Sequence, residues 1–198
     1  MNINLIYPSI PSPLDRHIPD TTITACHILN TLAEQIKLQL KQSAKDTPSA
    51  SIRIITAPIE NLIRRVTRQA RTQAPSANLN IILQLGACAQ DDQWHTVSGF
   101  TVTSQPTNPQ SDQLSDQLIC LALKILGRSA ISNPAAAISQ REHSTARLLD
   151  ISSSPAVLTT CLYIDKAQNA NLLRTDSGIS MLASVHAQAI EQYLRLNQ

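Results

Sequence analysis

Glycine is scarce, with four in 198 residues, at positions 86, 99, 127 and 178. A loop that cradles phosphates needs closely spaced glycines, so the Walker and dinucleotide fingerprints are excluded. Aromatic residues make up only 3% of the chain, with a single Trp, which leaves few platforms for stacking on single strands or sugars. Charge is also sparse and nearly balanced: Lys+Arg 16 against Asp+Glu 14 gives a net +2. That excludes a strongly basic nucleic-acid binder and an acidic disordered tail. The four cysteines, Cys26, Cys88, Cys120 and Cys161, form no C-x-x-C pair. A zinc site built from them is therefore not expected, whereas free buried thiols in a reducing compartment are. The opening MNINLIYPSIPSP has neither the basic start nor the apolar run of a secretory leader, and no stretch approaches the ~18 apolar residues of a membrane span. A cytoplasmic location is expected.

What is present is a steady alternation of strand and helix patterns. A chain of this length can bury roughly 70% of its unfolded surface, enough to fold without a disulfide or structural metal. Residues 2–7 read as a short strand, followed by a Pro-rich loop to Pro19. Asp20 or Thr21 then caps a helix to about Ser43, with Ile23, Ile28, Leu32, Ile36 and Leu40 on one face. A strand is expected over 49–57 and a helix over 59–74, in which Arg64, Arg68 and Arg71 form a solvent stripe. The run NIILQLGACA (80–89) is nearly continuous in apolar residues, as in a parallel strand covered on both faces. Further strands are expected at 95–104 and 155–164, with helices at 112–127, stopped by Gly127, and at 177–196. Residues 128–150 read as a mixed connection. Together these patterns specify an α/β fold: one domain, residues 1–198, with a doubly wound, mostly parallel sheet flanked by helices.

In order along the chain, the segments resemble the zinc-dependent N-acetylmuramoyl-L-alanine amidases of peptidoglycan, amidase type 3. PAVLTTCLYIDKAQNANLL (155–173) is similar to the family segment P-A-V-L-V-E-x-G-F-x-S-N. The closing helix ends in Tyr193-Leu194, like the family's Tyr-Leu pair. NLNIILQLGACA (78–89) resembles A-D-L-F-I-S-I-H-A-N-A, and SGFTVTS (98–104) and SDQLSDQLICLALKIL (111–126) resemble the strand and helix after it. NLIYPSI (4–10) stands where the family has I-D-P-G-H-G-G. The resemblance implies an amidase fold and a cell-wall substrate. It also implies a zinc held by a His after the first strand, a Glu opening the first helix and a His ending the buried strand. A Glu on the late strand then acts as general base.

The four implied positions fall on Ile10, Thr21, Gly86 and Thr160. None of these side chains is a good zinc ligand, and Thr160 cannot take a proton at neutral pH. Zinc is accordingly expected to be lost, and with it amidase activity. That leaves an inactive amidase-like domain serving as a binding or protein-interaction module, with a protein or a cell-wall fragment as partner. The alternative is an active hydrolase, either a diverged amidase or a thiol enzyme. His17, His27, Cys88 and Cys161 supply residue types for a relocated centre near the C-terminal edge of the sheet. Cys88 or Cys161 would be the nucleophile, His17 or His27 the base, and Asp15 or Asp20 the orienting carboxylate. Arg64, Arg65, Arg68 and Arg71, with Arg53 nearby, form a basic face suited to carboxylates or phosphates. The small net charge gives nucleic-acid binding no further support.

Overall fold

The two most apolar runs of the sequence become the middle of a sheet. The structure is a computed structural model that describes residues 2–9, 16–43, 50–72, 79–87, 93–97, 99–128 and 140–197. In chain order its elements are β1 (Asn2–Pro8), α1 (Ala25–Ser43), β2 (Ser51–Ala57), α2 (Ile59–Thr72), β3 (Leu79–Gly86) and β4 (Phe100–Ser104). They continue with α3 (Pro109–Leu126), α4 (Gln140–Asp150), β5 (Ala156–Tyr163), α5 (Ala167–Leu173) and α6 (Asp176–Leu196). The strand order is β2-β1-β3-β5-β4, parallel throughout except for β4, which pairs antiparallel with β5. β3 and β5 are thus interior strands, and every residue of β5 is buried, as expected of strands covered on both faces.

Alternation along the strands divides the interior into two cores. One side of the sheet joins Ile3, Leu5, Ile81, Leu83, Val157 and Cys161 to Ile28, Leu32 and Ile36 of α1, and to α3 and α6. The other joins Ile6, Ile55, Ile82 and Leu158 to Leu62 and Val66 of α2 and to Leu148 and Leu149 of α4. Helices on both faces of a mostly parallel sheet constitute the doubly wound architecture read from the sequence.

Local chemistry moves several boundaries. α1 begins at Ala25 rather than after Asp20 or Thr21. Asp20 lies at φ 61°, and the Thr21 hydroxyl donates to the Ile18 carbonyl (2.9 Å) and accepts from the Ile23 N–H (3.2 Å). Those bonds hold a turn, and Thr24 caps the helix instead by accepting from the His27 N–H at 3.2 Å. The expected strand 95–104 is confined to Phe100–Ser104, because 93–97 leave the sheet and the His95 N–H donates to the Asp165 carbonyl at 2.6 Å. α3 starts at Pro109, three residues before the expected 112. Asn108 accepts from the N–H groups of Gln110 and Ser111, and Pro suits the first helical position. The connection 128–150 contains α4, which periodicity concealed because its first half is polar; its Ala-rich patch lies outside the described residues. α5 was not expected either. Its Ala170 and Leu173 are buried, so packing rather than propensity secures its single short run.

β5 carries one residue more than β3 between successive pairings. Gln84 pairs with Thr160, but Gly86 pairs with Tyr163. The extra residue sits at Leu162, whose φ is 75°, a β-bulge that shifts the register by one residue. The left-handed conformation costs a non-glycine residue roughly 1–2 kcal/mol. Leu162 is nonetheless fully buried, and burial of a Leu side chain contributes about 1.5–3 kcal/mol, so packing outweighs the backbone cost.

Two stability measurements check this account. Leu83, with 0% exposure between the two interior strands' neighbours, should lose roughly 2–5 kcal/mol on change to Ala, seen as a fall in the urea midpoint. At Leu162 both Ala and Gly remove the packing. The Gly variant should be no less stable than the Ala variant, reversing the usual strand order, because only Gly takes that φ without strain. A Gly variant clearly less stable than Ala would rule out the bulge geometry.

Candidate functional site at the ends of the central strands

In parallel α/β sheets, ligands sit beyond the carboxyl ends of the strands. Here those ends are Pro8 of β1, Gly86 of β3 and Tyr163 of β5. Thr160, one turn of the pleat before the end of β5, is buried and accepts a hydrogen bond from Gln84 Nε2 at 2.9 Å. Both groups are neutral, and each satisfies the other out of water. Beside them, Gly86 carries no side chain, and the Tyr163 ring lies against it. At the end of β1, Tyr7 is buried and its hydroxyl donates to Asn30 Oδ1 at 2.9 Å. Burial raises the Tyr7 hydroxyl above its ordinary pKa, so it too stays uncharged. The Cys26 thiol faces the Pro8 carbonyl at 4.0 Å.

On the opposite face of β5, sequence reasoning missed a buried polar cluster. Thr159 Oγ1 lies 3.1 Å from His186 Nε2, Cys161 Sγ lies 3.7 Å from the same nitrogen, and the two strand side chains are 3.4 Å apart. His186 Nδ1 is 2.8 Å from the Leu182 carbonyl. A carbonyl only accepts, so Nδ1 carries the proton and Nε2 is the acceptor for the Thr159 hydroxyl. Phe100 meets the imidazole edge-on, with centroids 5.7 Å apart. Desolvation pushes His186 down to about 4 and Cys161 up to about 12. A thiol held that high stays protonated at neutral pH. The cluster is a neutral, hydrogen-bonded part of the core. Its one signal in the sequence was His186 on the apolar face of the last helix.

Among the described residues, those offered for a relocated centre do not come together. Cys161 faces the interior and binds Thr159 and His186, not His17 or His27. His17 is half-buried and forms an isolated antiparallel bridge with Thr24. His27 is exposed on α1 and borders a cleft of about 70 Å³ with Thr31, Arg174 and Asp176. Asp20 is exposed; Asp15 and Cys88 lie outside the described residues, as does Ile10. Thr21 precedes α1 by a full turn rather than opening it. Among the described residues, no three His, Cys, Asp or Glu side chains are placed to hold a metal. Of the three described cysteines, only Cys161 is buried; Cys26 is half-buried and Cys120 exposed. That corrects the expectation of buried thiols. Arg64, Arg65 and Arg68 are exposed on α2, and Arg53 is exposed on the edge strand β2. They make a basic surface away from the strand ends, while the Arg71 side chain lies outside what is described. No helix among the described residues is long and apolar enough to cross a membrane.

No family model matches the sequence, and no curated protein matches it. Solved structures do share its fold. The N-acetylmuramoyl-L-alanine amidase from Clostridium difficile 630 aligns at TM-score 0.69 and 12% identity, over 99% of this chain and 98% of that one. The CwlD amidase from Clostridioides difficile, solved in complex with the GerS lipoprotein, aligns at TM-score 0.70 and 14% identity, over 98% of each chain. The amidase AmiC2 of Nostoc punctiforme aligns at TM-score 0.68 and 14% identity, over 98% of this chain and 97% of that one. The chain therefore has the amidase type 3-like fold that its segment order resembles, and at these identities the likeness is one of fold.

His186 makes stability depend on acid. Its folded pKa is depressed below the unfolded 6.5, so the unfolded chain binds more protons between pH 6.5 and 4. The contribution is complete above pH 6.5 and is lost as pH falls towards 4, by about 3 kcal/mol in all. Urea unfolding across that range should give a steeper loss for the wild type than for His186→Gln, by about one proton. Equal slopes would show an imidazole open to water.

Proposed function

We propose that this chain is a catalytically inert domain of the amidase fold that works by binding. The observation that carries the reading is the Thr160–Gln84 hydrogen bond of 2.9 Å. It stands where the resembled family has its general base, and it replaces a carboxylate with a neutral pair. Gly86 offers no donor at the position of the strand ligand. Thr21 offers one hydroxyl, already engaged with Ile18 and Ile23. Catalytic zinc needs three N, O or S ligands and an open place for water, and this donor set does not fit it.

The partner is a protein or a cell-wall fragment. The fold supports either, and the CwlD neighbour was solved bound to a lipoprotein, which favours a protein. The thiols of Cys120 and Cys161, which form no disulfide, suit a reducing, cytoplasmic setting. The exposed arginines of α2 give such a partner a place for carboxylates. Against the thiol-hydrolase alternative stands the geometry of Cys161, protonated and shut in the core; Cys88 is tested directly.

The experiment is a muropeptide digest with the purified protein, with Cys88→Ala and Cys161→Ala beside it, and with zinc measured on the same sample. The inert reading expects no stem peptide above background, because general acid–base work contributes about 10²–10⁴-fold and a metal several kcal/mol more. It also expects far less than one equivalent of zinc and a melting temperature unmoved by chelator. Thr160→Glu alone should not restore turnover. Release of stem peptide by the wild type would sink the reading. Its loss in Cys88→Ala would install the thiol hydrolase instead.

A further inference from the structure

We infer that Tyr163 closes the end of β3, so that position 86 accepts no side chain and no ligand can be put back there while the ring stands. The closure begins in the backbone. The extra residue of β5 at Leu162, with φ 75°, brings Tyr163 rather than Leu162 opposite Gly86. Residues paired across adjacent strands project to the same side of the sheet. The ring of Tyr163 then lies across the glycine. A Cβ built on Gly86 would fall 2.7 Å from Cδ1 and Cε1 of Tyr163 and 2.8 Å from Cζ. Carbon atoms in contact rest at about 3.5–4.0 Å, so even one methyl group collides. The ring has little room to yield, because Tyr163 is only 5% exposed. The strand end is anchored as well: the Ile164 N–H donates to the Gly86 carbonyl at 3.0 Å, tying the two strands together just beyond the pair.

The consequence reaches past the missing ligands. An imidazole at position 86 needs the volume that the phenol ring fills, so the disagreement with zinc is steric as well as chemical. Glycine at 86 and tyrosine at 163 form a coupled pair: no side chain enters position 86 while the ring is in place. That position 86 is a ligand position rests on the inert reading; the packing of the pair does not.

The test has two arms. In the first, Gly86→Ala, Tyr163→Ala and the double variant are compared by thermal unfolding. Gly86→Ala alone should lower the melting temperature by roughly 5 °C. In the Tyr163→Ala background the same change should cost nothing or raise it, since the added methyl enters vacated space. Additive losses would overturn the inference. In the second arm, Gly86→His is made with and without Tyr163→Ala, with circular dichroism verifying the fold of each. Its melting temperature should fall further than that of Gly86→Ala while the tyrosine stands, and recover when the tyrosine is cut back. Equal losses in the two backgrounds would remove Tyr163 as the barrier. Zinc in the unmodified protein would instead strike the inert reading, and it would leave both arms standing.

Discussion

Complete burial of β5 is the constraint on which the rest of the molecule depends. A strand with no residue at the surface cannot leave a polar side chain to water, and an unpaired polar group there costs several kcal/mol. Thr159, Thr160 and Cys161 sit together in this strand. Each is satisfied by a neutral partner drawn from another element: His186 of α6 for Thr159 and Cys161, Gln84 of β3 for Thr160. A carboxylate at position 160 would be a different matter. It would need a cation beside it or else bind a proton, since desolvation raises a buried acid's pKa. A dication without the carboxylate would be equally exposed to that cost. Under the inert reading, the neutral Thr160–Gln84 pair removes both problems together, which makes a metal-free strand end physically consistent rather than merely depleted.

Strand alternation decides what can cooperate with what. Thr159 and Cys161 share the face that packs on α1, α3 and α6, whereas Thr160 shares the other with Gln84. Successive side chains point to opposite sides of a sheet. Cys161 therefore cannot take over the chemistry of its neighbour's position, however close the two lie in sequence. The side on which the thiol lies is the thicker core, closed by the long helices, and that is why its sulfur and the imidazole beside it are held in their uncharged forms.

The sequence carried the fold because continuous apolar runs identify strands covered on both faces, and 80–89 and 155–164 were such runs. That Gly86 and Thr160 stand at a ligand and a base position was implied by the resemblance alone; the structure places the two residues on neighbouring strands. The sequence did not carry their partners. Gln84 and Thr160 are separated by 76 residues, and Gly86 meets Tyr163 only because one extra residue enters β5 at Leu162. A bulge leaves no mark in periodicity unless a glycine announces it, and here a leucine occupies the left-handed site. The start of α1 was misread through rival caps. Asp20, Thr21 and Thr24 are all good capping types, and the choice went to Thr24 because the bonds of Thr21 to Ile18 and Ile23 consume the residue in a turn.

Stability and candidate site are separate in this fold. The apolar contacts that hold it run from Ile3, Leu5, Ile81, Leu83 and Val157 to α1, α3 and α6, and from Ile6, Ile82 and Leu158 to α2 and α4. None of them passes through Thr21, Gly86 or Thr160. A structural zinc contributes directly to folding, so its removal leaves a small chain unfolded; a catalytic metal at strand ends contributes little to a core already closed elsewhere. At this length the core is sufficient by itself. Once no charge has to be held at the ends of β3 and β5, the lowest-cost occupants of those positions are groups that fill space and satisfy one another. A hydroxyl facing an amide and an aromatic ring across a glycine meet both conditions. Under the inert reading the strand ends become an extension of the core, and recognition of a partner passes to the polar and charged groups that the fold leaves outside.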